Sequence, residues 1–419
     1  MRLTLRQQRD RFSRYFLYGL FVLLPLTAVF GHKGVAPWLL LASLPAFVRG
    51  DFWQSAFGQL FDSPDIKNPF FAAFVAIIVF CIWIFLSGFW SPKAQPSLML
   101  YVLAPVLVGG SVVWFTLNLP RVWTYRLAIV FSLSITAGVT VLLFEGVTGG
   151  FLRGVLPPND PSPDGSRDII ALGRGVTALA PALFPAGAIV AMLRSRWLGV
   201  AVVAIGFLAA LSNDVAANVS AVTIGFAAAI LALTAPRRAL IVGGWILLAL
   251  LFAAPALALL PVEQIFERFG SVTPASWLHR VAIWQSVAAG IPDGLPFGYG
   301  ADYARIWRET APLIDVPGSP IQLSLMPTHP HNVFLQIWLE LGLPGVLTMA
   351  AAIYFSMRAL LRAALPTVVI TGIIGAVAAI AVSLMVEGSI WQVWRLAAMA
   401  LAAMGVALSY SLYRLRISP

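Results

Sequence analysis

Apolar stretches of span length recur along nearly the whole chain, divided by short polar breaks, and this alternation constrains the fold more than any other feature. The runs lie at about 14–31, 35–49, 69–90, 98–118, 124–145, 174–193, 197–211, 219–235, 238–260, 332–356, 366–386 and 391–412. A helix needs roughly 20 apolar residues to cross a bilayer, because no water in the hydrocarbon layer can satisfy exposed backbone groups. With 60% hydrophobic and 11% charged residues in 419, and a mean hydropathy of +0.88, an ordinary soluble domain is excluded. The expectation is an all-α integral membrane protein of about twelve transmembrane helices, forming one polytopic domain over 1–419. The first run has no cleavage site after it and more runs follow, so it reads as a span rather than a signal peptide.

The basic residues give the orientation. Arg2, Arg6, Arg9, Arg11 and Arg14 precede the first run. On the same side, if the runs alternate, fall Arg49 and Lys67, Arg121 and Arg126, Arg194 and Arg196, Arg237 and Arg238, Arg358 and Arg362, and Arg414 and Arg416. Such a bias marks the cytoplasmic side, so both termini are expected there. The net charge of +10 is spent on topology, and no nucleic-acid patch is formed. The single cysteine, Cys81, lies within an apolar run and excludes an internal disulfide.

Two long segments fall on the opposite side, at about 146–173 and 261–331. The first is rich in Pro, Gly and Asp and includes Arg153 and Arg167. The second, between the ninth and tenth runs, contains Ser276–Ala288, where Trp277, Val281, Trp284 and Ala288 share a helical stripe suited to the headgroup level. A glycine-punctuated turn follows, Pro296-Phe-Gly298-Tyr-Gly300.

Three arginines oppose the orientation signal: Arg174 at the opening of the sixth run, Arg280 on the loop helix, and Arg395 at the start of the last. A guanidinium fork suits phosphate; the plainer alternatives are snorkelling or pairing with Asp168, Asp293 or Glu387. Arg305 and Arg308 read as a solvated loop face. At the junction of the loop with the tenth run stands His329-Pro-His331-Asn332. An imidazole there can serve as a general base. Asn332 can cap the helix or present its amide to a ligand. Glu340 is expected to bond within the bundle, and His32 and His279 have no comparable context. Ligand spacings for zinc are missing, as is any D-x-D-like pair on the loops.

His331-Asn332 followed after nine residues by Gly342-x-x-Gly345 resembles the H-[NSQ]-x9-G-x-x-G signature of bacterial O-antigen ligases, within the O-antigen ligase/polymerase superfamily. The long loop before the histidine, its Arg280 and Trp284 helix, and the Pro296, Gly298, Gly300 turn extend the likeness. The resemblance implies a GT-C-like bundle in the bacterial inner membrane with its active site in the periplasm. It implies transfer of a polysaccharide from undecaprenyl diphosphate to lipid A–core without ATP, metal or other cofactor. By position His331, Arg280 and Arg174 match the catalytic set. Arg395, His329, Asn332, Trp284, Gly298 and Gly300 are the expected substrate-contacting residues, and either histidine of the pair could be the base. Direct displacement with inversion is expected, by a monomer whose partners are the lipid-linked donor, the acceptor and membrane lipids. The rivals are an O-antigen polymerase, a protein O-oligosaccharyltransferase, disfavoured by the short segment after the last run, and a lipid-linked sugar flippase, which would need charge at mid-depth.

Overall fold

The computed structural model describes residues 5–30, 32–48, 65, 67–155, 166–213 and 215–417. The helices in chain order are α1 (Leu5–Phe30), α2 (Val35–Val48), α3 (Pro69–Ser87), α4 (Pro96–Leu117), α5 (Arg121–Thr148), α6 (Phe151–Val155), α7 (Ser166–Leu193), α8 (Arg196–Ser212), α9 (Ala216–Thr234) and α10 (Pro236–Ala253). The inserted loop adds α11 (Val262–Phe269), α12 (Ala275–Gly294) and α13 (Ala304–Thr310), then α14 (Val333–Gln336), α15 (Gly342–Arg362), α16 (Thr367–Val386) and α17 (Val393–Ile417) complete the chain. Among the described residues strands are confined to a pair of two-residue segments, Leu313–Ile314 and Leu323–Ser324, antiparallel within the loop. Among the described residues nine helices are long and apolar enough to cross a membrane, and α8 is a shorter apolar helix. Helices α1 and α2 stand where the first two spans are expected. The protein is an all-α, multi-pass membrane protein.

The core centres on α7, which packs against α1, α5, α8, α16 and α17. Its apolar window is 83% buried, against 28% for α3 and α10, so α7 is the axis and those two are the rim. Small residues allow the closest approach: a Cβ on Gly187 would stand 2.8 Å from the Gly199 carbonyl oxygen on α8. Between apolar helices in lipid such contact supplies dispersion that the hydrophobic effect does not.

Helix α7 begins at Ser166, eight residues before the expected opening of its span, so Arg174 sits two turns inside it. The Pro-rich stretch 156–165 lies outside the described residues, as do the side chains of Arg167 and Asp168. Helix α12 covers 275–294, but its buried face is Leu278, Ala282, Ile283, Val287, Ala288 and Ile291. Of the expected Trp277–Val281–Trp284–Ala288 stripe only Ala288 is buried. The aliphatic side chains pack on the turn after α10 and on α14, while the indoles, which carry a polar N–H, take the edge.

The tenth span is broken. After α14 the chain makes a π-helical turn over Ile337–Leu341 and turns sharply at Gly342, with φ 61° and ψ −160°. That combination is essentially glycine's alone. At the break three successive carbonyls each capture a donor from elsewhere: Tyr299 N bonds Leu339 O at 2.9 Å, Gly300 N bonds Glu340 O at 2.9 Å, and Trp83 Nε1 bonds Leu341 O at 2.8 Å. Leu343 N returns a bond to Pro296 O at 2.8 Å. The loop is thereby clamped to the bundle beside the His329–His331 segment.

Candidate active site

His331 lies where the loop enters α14, in the left-handed region at φ 53°. Non-glycine residues seldom adopt it, and such strain persists only where the surroundings enforce it. They do so here. Asn332 Oδ1 caps α14 by accepting from Phe334 N at 3.0 Å and Leu335 N at 3.3 Å. Trp284 Nε1 donates to His331 O at 3.3 Å, and His331 N donates to His329 Nδ1 at 3.3 Å. The two imidazoles are 4.2 Å apart between centroids. Asn332, Trp284 and His329 therefore all act on the backbone that presents His331.

The ring of His331 and the guanidinium of Arg280 meet at one carbonyl. Arg280 Nε donates to Val386 O at 2.7 Å and Nη1 to Ser276 O at 2.7 Å, with Trp277 stacked at 5.3 Å. The same Val386 carbonyl faces the His331 ring. Burial, then the charges of Arg280 and His279, pull His331 down to about 4, so its ring is neutral at physiological pH. His331 Nδ1 is buried and has no hydrogen-bond partner among the described residues. His329, buried more deeply and next to His331, is pulled down to about 2. Its Nδ1 already accepts from the backbone, which leaves His331 as the ring with an unused lone pair. Burial also works against the charge on Arg280, and Glu387 works for it.

Glu387 caps α16 and is the anion among these cations. Arg395 Nη2 lies 3.2 Å from its Oε2, and Thr177 Oγ1 lies 3.1 Å from the same oxygen. Arg395 is 5% exposed and also donates to Ser383 Oγ at 2.7 Å. The pairing alternative for Arg395 is therefore realised, with Glu387 as its partner. Thr177, one turn after Arg174, lies 2.7 Å from Asn218 Oδ1, and Asn218 Nδ2 donates to Gly173 O at 2.6 Å. These bonds fix the start of α7 against α9 and the end of α16. Arg174 is exposed, and its charge acts on Arg395 and on His32. The structure thus gathers His331, Arg280, Arg395 and Arg174 at one end of the bundle, linked through Val386 and Glu387.

Gly298 and Gly300 are accounted for by packing. A Cβ on Gly298, at φ 76°, would stand 2.6 Å from Glu340 and Gly342 backbone, and one on Gly300, at φ 89°, 2.5 Å from Ser91 Cα. Both belong to the clamp on the broken helix. His279, which has no distinguishing context in the sequence, is half-buried with Nε2 2.8 Å from Ser324 O. Arg305 pairs with Asp302 at 2.8 Å on the loop surface. In the sequence Glu387 shows only as a possible pairing partner, and His32 has no distinguishing context. The signal for Glu387 was present in its position: a carboxylate at the end of a span on the side bearing the odd arginines.

Replacing Arg280 by lysine is expected to remove most catalytic activity although the charge stays. A single ammonium cannot bond Val386 and Ser276 and still present a flat fork; equal turnover by Arg280→Lys would show that the fork is not used.

A family model described as O-antigen ligase matches residues 179–350, which include Arg280 and His331. A curated protein of Rickettsia conorii, whose provisional name is polysaccharide ligase, is 33% identical over 93 residues. That match covers 22% of this chain and 22% of the relative, so it speaks to a segment and not to the whole protein. The family match and the arrangement of the broken span agree with the resemblance in the sequence: over residues 179–350 the chain is similar to the O-antigen ligase family, whose members are of the polysaccharide-ligase type.

Proposed function

We propose that the protein transfers a polysaccharide from a polyprenyl diphosphate to a sugar hydroxyl of lipid A–core, at the periplasmic face of the bacterial inner membrane with both termini cytoplasmic. The observation that carries this reading is the meeting of a neutral His331 and the Arg280 guanidinium at Val386 O, on the same end of the bundle as Arg395 and Arg174. His331 takes the proton of the acceptor hydroxyl, and the oxygen bonds to the anomeric carbon of the donor as its bond to the diphosphate breaks. The departing oxygen keeps the electron pair, and its charge is met by Arg280 and Arg174. Preorganised cations aimed at developing charge are usually the largest contribution, and general-base assistance adds about 10²- to 10⁴-fold. Glu387 is held by Arg395 and Thr177, which leaves direct displacement, with inversion, as the simplest course. No metal or nucleotide enters the scheme.

The test is an incubation of purified protein with lipid-linked polysaccharide and either lipid A–core or a second lipid-linked repeat unit. Extension of lipid A–core alone is the expected result. Extension of the lipid-linked unit would make the protein a polymerase, and no transfer to either would remove the transferase reading.

A further inference from the structure

His32 forms the turn between α1 and α2 and is only 6% exposed. Its Nδ1 is buried and has no hydrogen-bond partner among the described residues. A buried polar atom in that state costs free energy unless a ligand or water completes it. The ring packs edge-on against Trp394 at 4.8 Å between centroids, and Arg395 lies over that same indole at 4.6 Å. His32 is therefore one aromatic ring away from the guanidinium that pairs with Glu387. The charges that act on it come from every side: Arg174 of α7 first, then Lys33 of its own turn, Arg395 of α17 and Arg153 of α6. All four are cations. Burial and these charges hold the ring down to about 4, so it is neutral while no anion is present.

We propose that His32 is a further contact for the diphosphate of the lipid-linked donor, its Nδ1 facing the anion that Arg174 and Arg395 attract, and that the ring takes up a proton when the anion binds. The proposal rests on the diphosphate reading of the site. Its physical basis is that an anion beside the ring reverses the field that keeps it neutral, and an ionised hydrogen bond is worth more than a neutral one. The sign follows directly. The proton is absent from the empty site and present in the complex, so affinity rises as pH falls below the pKa of the complex and levels off near the free ring's value of about 4. Arginines do not titrate in this range, and titration of the ligand itself is common to all variants.

The experiment measures binding of farnesyl diphosphate to the full-length protein in detergent by titration calorimetry, at pH 6 and pH 8 and in two buffers of different ionisation enthalpy. Wild type, His32→Gln and His32→Ala are compared, each with its melting temperature. Wild type is expected to take up more protons on binding than either variant and to gain more affinity at pH 6. Both variants should bind about 10- to 100-fold more weakly at pH 6, the range for a lost bond to a charged group. His32→Gln keeps an amide donor without a titrating proton, so it isolates the proton-uptake part and stands in if the alanine variant is unstable. Binding by His32→Gln with wild-type affinity, proton uptake and pH dependence would overturn the proposal. If wild type itself fails to bind farnesyl diphosphate, the diphosphate reading fails with it. Retained wild-type binding beside unchanged variants removes only the role of His32.

Discussion

Changing His331 to asparagine is expected to leave a folded, membrane-inserted protein whose glycan transfer falls by about 10²- to 10⁴-fold, the usual worth of a general base. Asparagine suits the comparison because it tolerates the left-handed backbone found at φ 53° better than other non-glycine residues do. The bonds from Trp284 to the 331 carbonyl and from the 331 amide to His329 involve backbone atoms, so they survive the exchange. Loss of activity with an unchanged melting temperature would thus report chemistry, not folding. The pH profile adds a second reading. His331 acts only when neutral, and burial with Arg280 and His279 beside it brings its pKa to about 4. The kcat/KM of wild type should therefore hold from pH 7 down to about 5 and decline only on approaching 4. An ordinary histidine would lose its base form already below about 6.5. A wild-type profile that breaks near 6.5, or an asparagine variant with full turnover, would remove the assignment.

Much of this was legible in the sequence, for reasons that differ from element to element. The spans could be read because each must satisfy its own backbone in lipid and so carries its signal locally. The loop helix was visible from its periodicity, although the two tryptophans drew attention to the wrong face. His331 and Arg280 could be paired through the resemblance, and the structure supplies the carbonyl of Val386 as the atom between them. What remained hidden depends on contacts between distant segments. Nothing local says that the Leu339, Glu340 and Leu341 carbonyls accept from Tyr299, Gly300 and Trp83, because those donors lie far away in the sequence. Likewise His32 has an unremarkable neighbourhood in sequence; only the approach of α17 and α7 surrounds it with arginines. The start of α7 was misplaced because its first two turns, Ser166 to Gly173, include a charged pair that reads as loop.

The same long-range bonds make Glu340 the residue whose removal should do most harm to the architecture of the site. Its carboxylate is fully buried and accepts from four donors on three segments. Ala304 N bonds Oε1 at 3.2 Å; Asp302 N and Gln336 Nε2 each bond Oε2 at 3.2 Å, and Trp391 Nε1 bonds Oε2 closely. Gln336 in turn reaches Ser389 Oγ at 3.0 Å and accepts from Ile390 N at 3.3 Å. One side chain therefore ties the inserted loop, the broken tenth span and the turn after Glu387 into a single unit. Glu340→Leu strands those donors without an acceptor, at about 1–3 kcal/mol each, so a loss of about 4 kcal/mol or more is expected. Glu340→Gln keeps an oxygen for most of them and turns one amide donor against another, which predicts a loss of about 1–3 kcal/mol. The order matters more than the sizes. Hydrogen exchange should accelerate at the Asp302 and Ala304 amides in the leucine variant and much less in the glutamine variant. Transfer should fall in the same order, through kcat more than KM, because His331 loses its fixed setting while Arg174 still meets the donor. Leucine and glutamine variants of equal stability, or a leucine variant whose loop amides stay protected, would show that the clamp is held by the Gly298–Gly342 backbone contact without the carboxylate.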